Sequence, residues 1–215
     1  MVVNTTGTMP MSEQGDSLPY GHHPVKGNPV PRPATAADLP RLADVLADAF
    51  DDYAWTNWTV PAQDRHQRIR TLQLLYLRHA GLPHGMVWTV PDRTAAAAFL
   101  PAPLPPLPPA VLEQITDAHG DRLEALVEAE ELVAARRPAH DWVLATVGVA
   151  PTAQGHGLGR TVVTAGLEAI DGQGGTCLLE TSDPRNLPFY QRLGFTVEAV
   201  VTTPGPPVWI MTRTN

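Results

Sequence analysis

The chain has 215 residues, 43% of them hydrophobic, and carries a formal net charge of −7. This acidic balance disfavours binding to nucleic acid and to a membrane surface, and no stretch approaches the roughly 20 apolar residues that a membrane span needs. The only cysteine, Cys177, excludes an intramolecular disulfide and fits a reducing cytoplasm. We therefore expect one cytoplasmic domain with a buried structural thiol.

The first 33 residues are rich in Gly, Pro, Ser, Thr and Asn and have no sustained apolar period. They predict a disordered tail over residues 1–33 and a folded domain over residues 34–215. A first helix is expected after Thr35 as its N-cap, with apolar residues at helical spacing as far as Phe50. A second helix is expected over residues 61–79.

Strand and helix patterns continue along the chain. "MVWTV" and "TAAAAFL", separated by "PDR", predict a hairpin. A proline-rich connection follows, and then two helices near residues 110–118 and 121–136. Apolar runs then predict a strand in "DWVLATVGVA", a helix in "RTVVTAGLEAI", a strand in "TCLLETS", a short helix in "NLPFYQRLG" and two strands in "FTVEAVVTT" and "PVWIMTR".

Three glycines, Gly155, Gly157 and Gly159, lie between a strand and a helix. The first amides of a helix lack internal partners and lie at the positive end of the helix dipole, so this turn suits a phosphate group. The stretch lacks the lysine of a phosphate-loop NTPase and the glycine spacing of a dinucleotide-binding turn. The alternative is a glycine-rich turn that binds no ligand.

Two motifs carry a resemblance to a known family: Gln154-x-x-Gly157-x-Gly159 after a strand, and "NLPFYQRLGF" further downstream. Together they resemble the GNAT acetyltransferase superfamily, and within it the puromycin N-acetyltransferases. The similarity extends to "AFDDY" and "GMVW", and covers about residues 34–213. It implies a GNAT fold: a single α/β (α+β) domain with a mixed, mostly antiparallel sheet of six or seven strands flanked by helices.

The resemblance implies acetyl-CoA as cosubstrate and no metal. The amides from Gly155 to Thr161 would hold the pyrophosphate, and the pantetheine arm would enter where "LATVGVA" and "TCLLETS" splay apart. The implied cofactor-binding residues are Val147, Val149, Gln154, Gly155, His156, Gly157, Leu158, Gly159, Arg160, Thr161 and Asn186.

Acetyl transfer needs an acid for the leaving thiolate and a base for the amine proton. Tyr190 matches the tyrosine that many family members place near the thioester sulfur, which implies a general acid; packing in the core is the alternative. The strand before the glycines has no glutamate, so the base stays open. Tyr53 with Glu180 as a proton relay is one candidate, but Tyr53 can instead be a wall of the acceptor site and Glu180 a structural residue.

Glu130 falls on the apolar face of the predicted helix over residues 121–136 and therefore needs a partner. That partner is either an arginine of the fold or the ammonium of the acceptor. The resemblance implies an acceptor site that includes Asp52, Tyr53, Trp55 and Glu130.

The predicted function is acetylation of the amine of a small antibiotic-like molecule, most of all puromycin or a related aminoacyl nucleoside. Two alternatives stay open at this point. One is a protein acetyltransferase that acts on an N-terminus or a lysine, and the other is a non-catalytic module that binds acetyl-CoA. Nothing in the sequence indicates the oligomeric state.

Overall fold

A mixed sheet of seven strands organises the computed structural model, which describes residues 29–214. The strands lie in the order β1-β2-β3-β4-β5-β7-β6, and of these neighbours only β4 and β5 run parallel. Their bounds are β1 Arg32–Pro33, β2 Met86–Thr89, β3 Ala95–Pro101, β4 Trp142–Val149, β5 Cys177–Thr181, β6 Thr196–Val201 and β7 Val208–Arg213.

Helices cover both faces of this sheet. Their bounds are α1 Leu39–Phe50, α2 Ala54–Thr59, α3 Arg65–Tyr76, α4 Leu82–His84, α5 Pro109–His119, α6 Leu123–Ala134, α7 Leu158–Asp171 and α8 Leu187–Gln191. A π-helical turn, Leu77–Gly81, joins α3 to α4. Within residues 29–214, no helix has the length and apolar character that crossing a bilayer requires.

Each face of the sheet has its own hydrophobic core. On one face, which we call the α1 face, helices α1, α3, α5 and α6 pack against side chains such as Ala98 of β3 and Leu178 of β5. On the other, the α7 face, helices α7 and α8 pack against alternate residues of the same strands, such as Phe99 and Leu179. The alternation follows from the two-residue period of a strand, which sends neighbouring side chains to opposite faces.

Helix α7 lies unusually close to the sheet. A methyl group added at Gly166 would overlap the ring of Phe99, so only glycine fits at this point of the helix. Ala95 and Ala97, the two small residues of β3 that face α7, lower the surface of this strand in the same way. This close packing sets the position of the first turn of α7, on which the candidate site depends.

The predicted α/β domain with a mostly antiparallel sheet of six or seven strands is confirmed, and the sheet has seven. The predicted hairpin is β2–β3, and every later predicted strand and helix is present. Cys177 is buried, and burial raises the pKa of its thiol to about 12, as a structural thiol requires.

The structure differs from the sequence prediction at the start of the domain. Ordered structure begins before Ala34, because Arg32–Pro33 form β1 against β2; residues 1–28 of the predicted tail lie outside the described residues. Helix α1 is capped at Asp38 rather than at Thr35. The Asp38 carboxylate instead accepts hydrogen bonds from Arg32 at 2.8 and 2.9 Å and from the Thr35 amide at 2.9 Å, which joins β1 to α1.

Two further differences concern helices. The second predicted helix begins at Arg65 instead of residue 61, after a turn in which Asp64 adopts a left-handed conformation with φ 54°. Helix α2 has no counterpart in the sequence prediction. Its six residues are too few to show a helical period, and its two tryptophans, Trp55 and Trp58, contact each other at a ring distance of 5.3 Å.

Candidate active site

The two parallel strands β4 and β5 separate soon after they pair. Trp142 lies opposite Cys177 and Val143 opposite Leu178, and the pairing ends there. Strand β4 nevertheless continues to Val149 and stays paired with β3 on its other side. A gap therefore opens between β4 and β5, as the sequence resemblance implies.

The backbone of β4 presents hydrogen-bonding groups to this gap. The N–H of Ala150 donates to the carbonyl of Thr94, next to β3, at 2.7 Å. Since the backbone groups of neighbouring strand residues point to opposite sides, those of Val149 and Val147 point away from β3 and into the gap. The carbonyl of Val149 accepts a hydrogen bond from the side chain of Gln154 at 3.3 Å. The N–H groups of both valines are placed to pair with an extended ligand.

The turn that contains Gly155, Gly157 and Gly159, which we call the glycine turn, exposes backbone amides at the mouth of the gap. Gly157 is the N-cap of α7 and has a left-handed conformation with φ 74°, which favours glycine. Gly155 also has a positive φ of 80°, and nothing lies within 4 Å of the position that its Cβ would occupy. The first amides of the 14-residue helix α7 therefore face a space that an anion can enter.

A cavity of about 210 Å³ lies at this helix terminus. Two arginines, Arg160 and Arg192, line it together with the ring of Phe189 on α8. Positive side chains, a positive helix end and open amides together fit a pyrophosphate group. The lining also includes seven residues of the predicted cofactor set: Val149, Gln154, Gly155, Gly157, Leu158, Gly159 and Arg160.

The other predicted cofactor residues lie around this cavity without lining it. Val147 is buried on the α7 face of β4, and Asn186 is buried beyond the end of β5, where its amide donates to Thr181 at 3.3 Å. Thr161 is bonded back to the carbonyl of Gly157. His156 is exposed, with Nδ1 2.9 Å from the carbonyl of Gln154 within its own turn.

Three buried hydroxyl groups on the strands that border the gap and in the α7-face core lack a hydrogen-bond partner among the described residues: Thr146 Oγ1, Ser182 Oγ and Tyr190 Oη. Thr146 lies on β4 beyond the last pair with β5, and Ser182 follows β5 directly. Buried polar groups are normally satisfied, and each exception asks for an explanation. A polar ligand in the gap would give these hydroxyl groups the hydrogen-bond partners that they lack.

Tyr190 has the properties of a proton donor. Its ring is fully buried between Phe189 and Phe195, with ring centroids 5.1 and 6.0 Å away. Burial raises its pKa well above the usual value near 10, and nearby Tyr53 adds to this effect. The hydroxyl is therefore protonated at neutral pH, as a proton donor must be.

Tyr53 occupies a structural position. Its hydroxyl accepts a hydrogen bond from the backbone N–H of Ser182 at 2.5 Å and lies 3.2 Å from the hydroxyl of Thr181. These contacts attach the α1–α2 junction to the end of β5. They match the interpretation of Tyr53 as part of a wall better than the interpretation as a base.

Glu180 and Glu130 share one arginine. Arg137 donates from Nε to one oxygen of Glu180 at 2.5 Å and from Nη2 to the other at 3.2 Å, and Nη2 also donates to Glu130 at 2.8 Å. Glu130 thus has the arginine partner that the sequence leaves as one of two possibilities. The Glu180 carboxylate binds Arg137, and a relay between Glu180 and Tyr53 stays a prediction.

The remaining predicted acceptor residues do not come together. Asp52 is exposed at the surface. Trp55 is only 3% exposed and lines a small internal cavity of about 50 Å³ with residues such as Phe50 and Tyr76. Trp55 is therefore part of the α1-face core, because its helix α2 turns the ring inward rather than toward the gap.

Two residues of the candidate site, Arg192 and Arg137, could not be identified from any pattern in the sequence. Arg192 follows α8 and reaches the cofactor cavity only through the fold, and Arg137 stands beside Arg136 with nothing in the sequence to show which of the two turns inward. In both cases the decisive contact joins residues that are distant in sequence.

Comparisons with known proteins agree with this geometry. A family model described as "Acetyltransferase (GNAT) domain" matches residues 123–197. The histone acetyltransferase HPA2 and related acetyltransferase of Corynebacterium glutamicum has a similar structure, with a TM-score of 0.65 and 21% identity over 86% of this chain and 95% of that one. The polyamine N-acetyltransferase of Drosophila melanogaster aligns with a TM-score of 0.56 and 16% identity over 86% and 99%.

The chain folds as a GNAT acetyltransferase domain. The matched stretch runs from α6 to the start of β6, and so contains the strand gap, the glycine turn, α7 and Tyr190. Helices α1–α5 lie outside the match. The family match therefore falls in the part of the molecule that holds the cofactor cavity.

Replacement of Gly157 by Asp tests the cofactor cavity. We expect Gly157→Asp to weaken acetyl-CoA binding by at least about 100-fold in calorimetry, because a carboxylate would face the pyrophosphate at close range. Aspartate tolerates the left-handed backbone of this position better than most residues do, so the helix itself should persist.

Gly174→Asp is the matched control. Gly174 has a similar positive φ of 70° and open space around its Cβ position, but it lies in the turn after α7, away from the cavity. Acetyl-CoA affinity should be unchanged in this variant. Equal affinities for Gly157→Asp and the unmodified protein would contradict the assignment.

Proposed function

We propose that the protein transfers the acetyl group of acetyl-CoA to the amine of a small molecule. The observation that carries this proposal is the gap between β4 and β5, which lies beside the anion-binding end of α7. Tyr190 belongs to the same core as Val147 and Val149 of β4, and its buried hydroxyl lacks a partner among the described residues. The thioester of acetyl-CoA, the backbone amides that donate hydrogen bonds to it and the acid Tyr190 would then lie close together.

The donor would lie along β4. Its pyrophosphate would contact the amides of the glycine turn with Arg160 and Arg192, and its pantetheine arm would pair with the backbone of Val147 and Val149. The N–H of Val149 is the candidate that stabilises the negative oxygen of the tetrahedral intermediate, since it points into the gap. Tyr190 would donate a proton to the leaving thiolate.

The acceptor that we propose is puromycin or a related aminoacyl nucleoside, with antibiotic resistance or self-protection as the biological role. The support is the sequence resemblance in "AFDDY" at the α1–α2 junction and in helix α6. The burial of Trp55 removes one of the aromatic surfaces expected to contact a planar acceptor. We place the reaction in the cytoplasm, where acetyl-CoA and a free Cys177 thiol are both compatible with the surroundings.

The test is a CoA-release assay with acetyl-CoA and a panel of amines. The panel holds puromycin, an arylalkylamine, agmatine and a lysine-containing histone peptide, since structural neighbours are named for the last three classes of acceptor. We expect CoA release with puromycin. Release with another class alone would keep the acetyltransferase and overturn the puromycin proposal; acetyl-CoA binding without any release would indicate a non-catalytic module.

Tyr190→Phe separates catalysis from packing. Because the Tyr190 hydroxyl is buried without a partner among the described residues, its removal should leave the free energy of unfolding unchanged or raise it by about 1–3 kcal/mol. Turnover should nevertheless fall by about 10²- to 10⁴-fold, as expected for the loss of a general acid. Denaturant unfolding and steady-state kinetics measure the two quantities.

Tyr76→Phe provides the control for this pair of measurements. Tyr76 is a second buried tyrosine, on α3, and burial likewise raises its pKa above the usual range. Turnover should stay the same in Tyr76→Phe. Unchanged turnover in Tyr190→Phe as well would assign Tyr190 to the core alone.

A further inference from the structure

Strand β6 forms an open edge of the sheet. It pairs with β7 alone, so the backbone groups along its other side have no strand beside them among residues 29–214. The opposite edge, β1, is only two residues long and contains Pro33, which cannot donate a backbone hydrogen bond. Of the two edges, β6 is therefore the one that a further strand can extend.

Exposed apolar side chains are concentrated beside this edge. Six large apolar side chains are exposed within residues 29–214, and four of them lie on α6 or β6: Val127, Leu132, Val197 and Val200. Single exposed apolar residues are ordinary on a protein surface, but a group of them beside an unpaired strand indicates an interaction surface.

A groove of about 540 Å³ lies between α6 and the end of β6. One wall is β6 with Val200, which is 51% exposed. The other wall is the face of α6 that carries Glu128 and Leu132, four residues apart and thus on one side of the helix. The last turn of α6 extends this wall to Arg136, whose N–H donates to the carbonyl of Val133 at 3.0 Å.

The charges of this groove are arranged symmetrically about Leu132. Glu128 and Arg136 lie four residues to either side of it, about 6 Å along the helix in opposite directions. Neither residue forms a salt bridge within the described part of its own chain. Such a helix is complementary to an antiparallel copy of itself, because Glu128 of each copy then faces Arg136 of the other and the two Leu132 side chains meet.

Pairing of two β6 edges produces this antiparallel arrangement of α6. Antiparallel strands from two copies are related by a twofold axis normal to the sheet. Helix α6 packs on the α1 face, so the axis places both copies of α6 on one face, side by side and in opposite directions. The pairing of β6 with β7 is irregular between Val197 and Ala199, which leaves the apolar stretch from Ala199 to Val201, next to the groove, as the regular part of the edge.

We propose that the protein forms a twofold-symmetric dimer in which the two β6 edges pair and the two grooves meet. Leu132 and Val200 form the apolar centre of the interface, and Glu128 of each copy binds Arg136 of the other. The sheet then continues from one copy into the next. This inference goes beyond the proposed function and does not depend on acetyltransferase activity.

Analytical ultracentrifugation of the full chain tests the dimer. Between about 1 and 100 μM protein, we expect a species with twice the mass of the 23.2 kDa chain to become dominant. A monomer at every concentration would overturn the proposal and would leave the groove to a segment of another protein or to residues 1–28 of the same chain.

Charge reversal tests the pairs across the axis. Glu128→Arg or Arg136→Glu alone places like charges together at two symmetry-related positions and should raise the dimer Kd by at least about tenfold. An equimolar mixture of the two variants should return the Kd to within about threefold of the original, because both cross-axis pairs of the mixed dimer are again of opposite charge. Glu113→Arg, exposed on α5 outside the groove, is the matched control and should leave the Kd unchanged.

Lysine substitutions test the strand edge and the apolar centre. Val200→Lys and Leu132→Lys should each raise the dimer Kd by at least about tenfold, since a charge would enter the apolar part of the interface. Leu112→Lys, at an exposed apolar position of α5, is the control and should not change it. All three positions are exposed in the single chain, so thermal unfolding of the monomer should be unaffected.

A dimer that forms without these effects would also contradict the proposal. If the single charge reversals behave like Glu113→Arg, if their mixture does not restore the dimer, or if the lysine variants of β6 and α6 behave like Leu112→Lys, the two copies meet through another surface. Recovery of the dimer only in the mixture would be specific to facing, antiparallel α6 helices, because loss of folding in either variant could not be repaired by the other.

Discussion

The early end of the pairing between β4 and β5 is the constraint on which the rest of the site depends. Backbone N–H and C=O groups inside a protein need partners, yet β4 continues beyond Val143 without β5 beside it. The fold holds this gap open. On one side β3 stays paired with β4 as far as Val149, and on the other the Tyr53 hydroxyl binds the backbone at Ser182, just past β5. A ligand that pairs with β4 therefore completes the sheet.

The two faces of the sheet give this gap two chemically different approaches. The α7 face provides a helix N-terminus and two arginines, which suit an anionic cofactor. On the α1 face, the carboxylates of Glu130 and Glu180 both bind Arg137. The reacting groups would meet between the strands, in surroundings that contain the buried Tyr190 hydroxyl.

Much of the fold and half of the site could be predicted from the sequence, for local reasons. The periods of strands and helices can be recognised in consecutive residues. The glycine turn and its flanking strand and helix are also continuous in sequence, so the cofactor cavity could be predicted from one short stretch. Helix α2 and strand β1 are too short to show a period. The acceptor side depends on contacts such as Arg137 with Glu180, which only the folded chain brings together.

Amide hydrogen exchange measured by NMR reports whether acetyl-CoA pairs with β4 inside the gap. Acetyl-CoA at saturation should slow exchange of the Val147 and Val149 amides by at least about tenfold, because a new backbone partner covers them. The amide of Ala97, in the centre of β3, should not change, since its strand is paired on both sides already. Unchanged exchange at Val147 and Val149, with acetyl-CoA shown by calorimetry to be bound, would place the cofactor elsewhere and contradict the account.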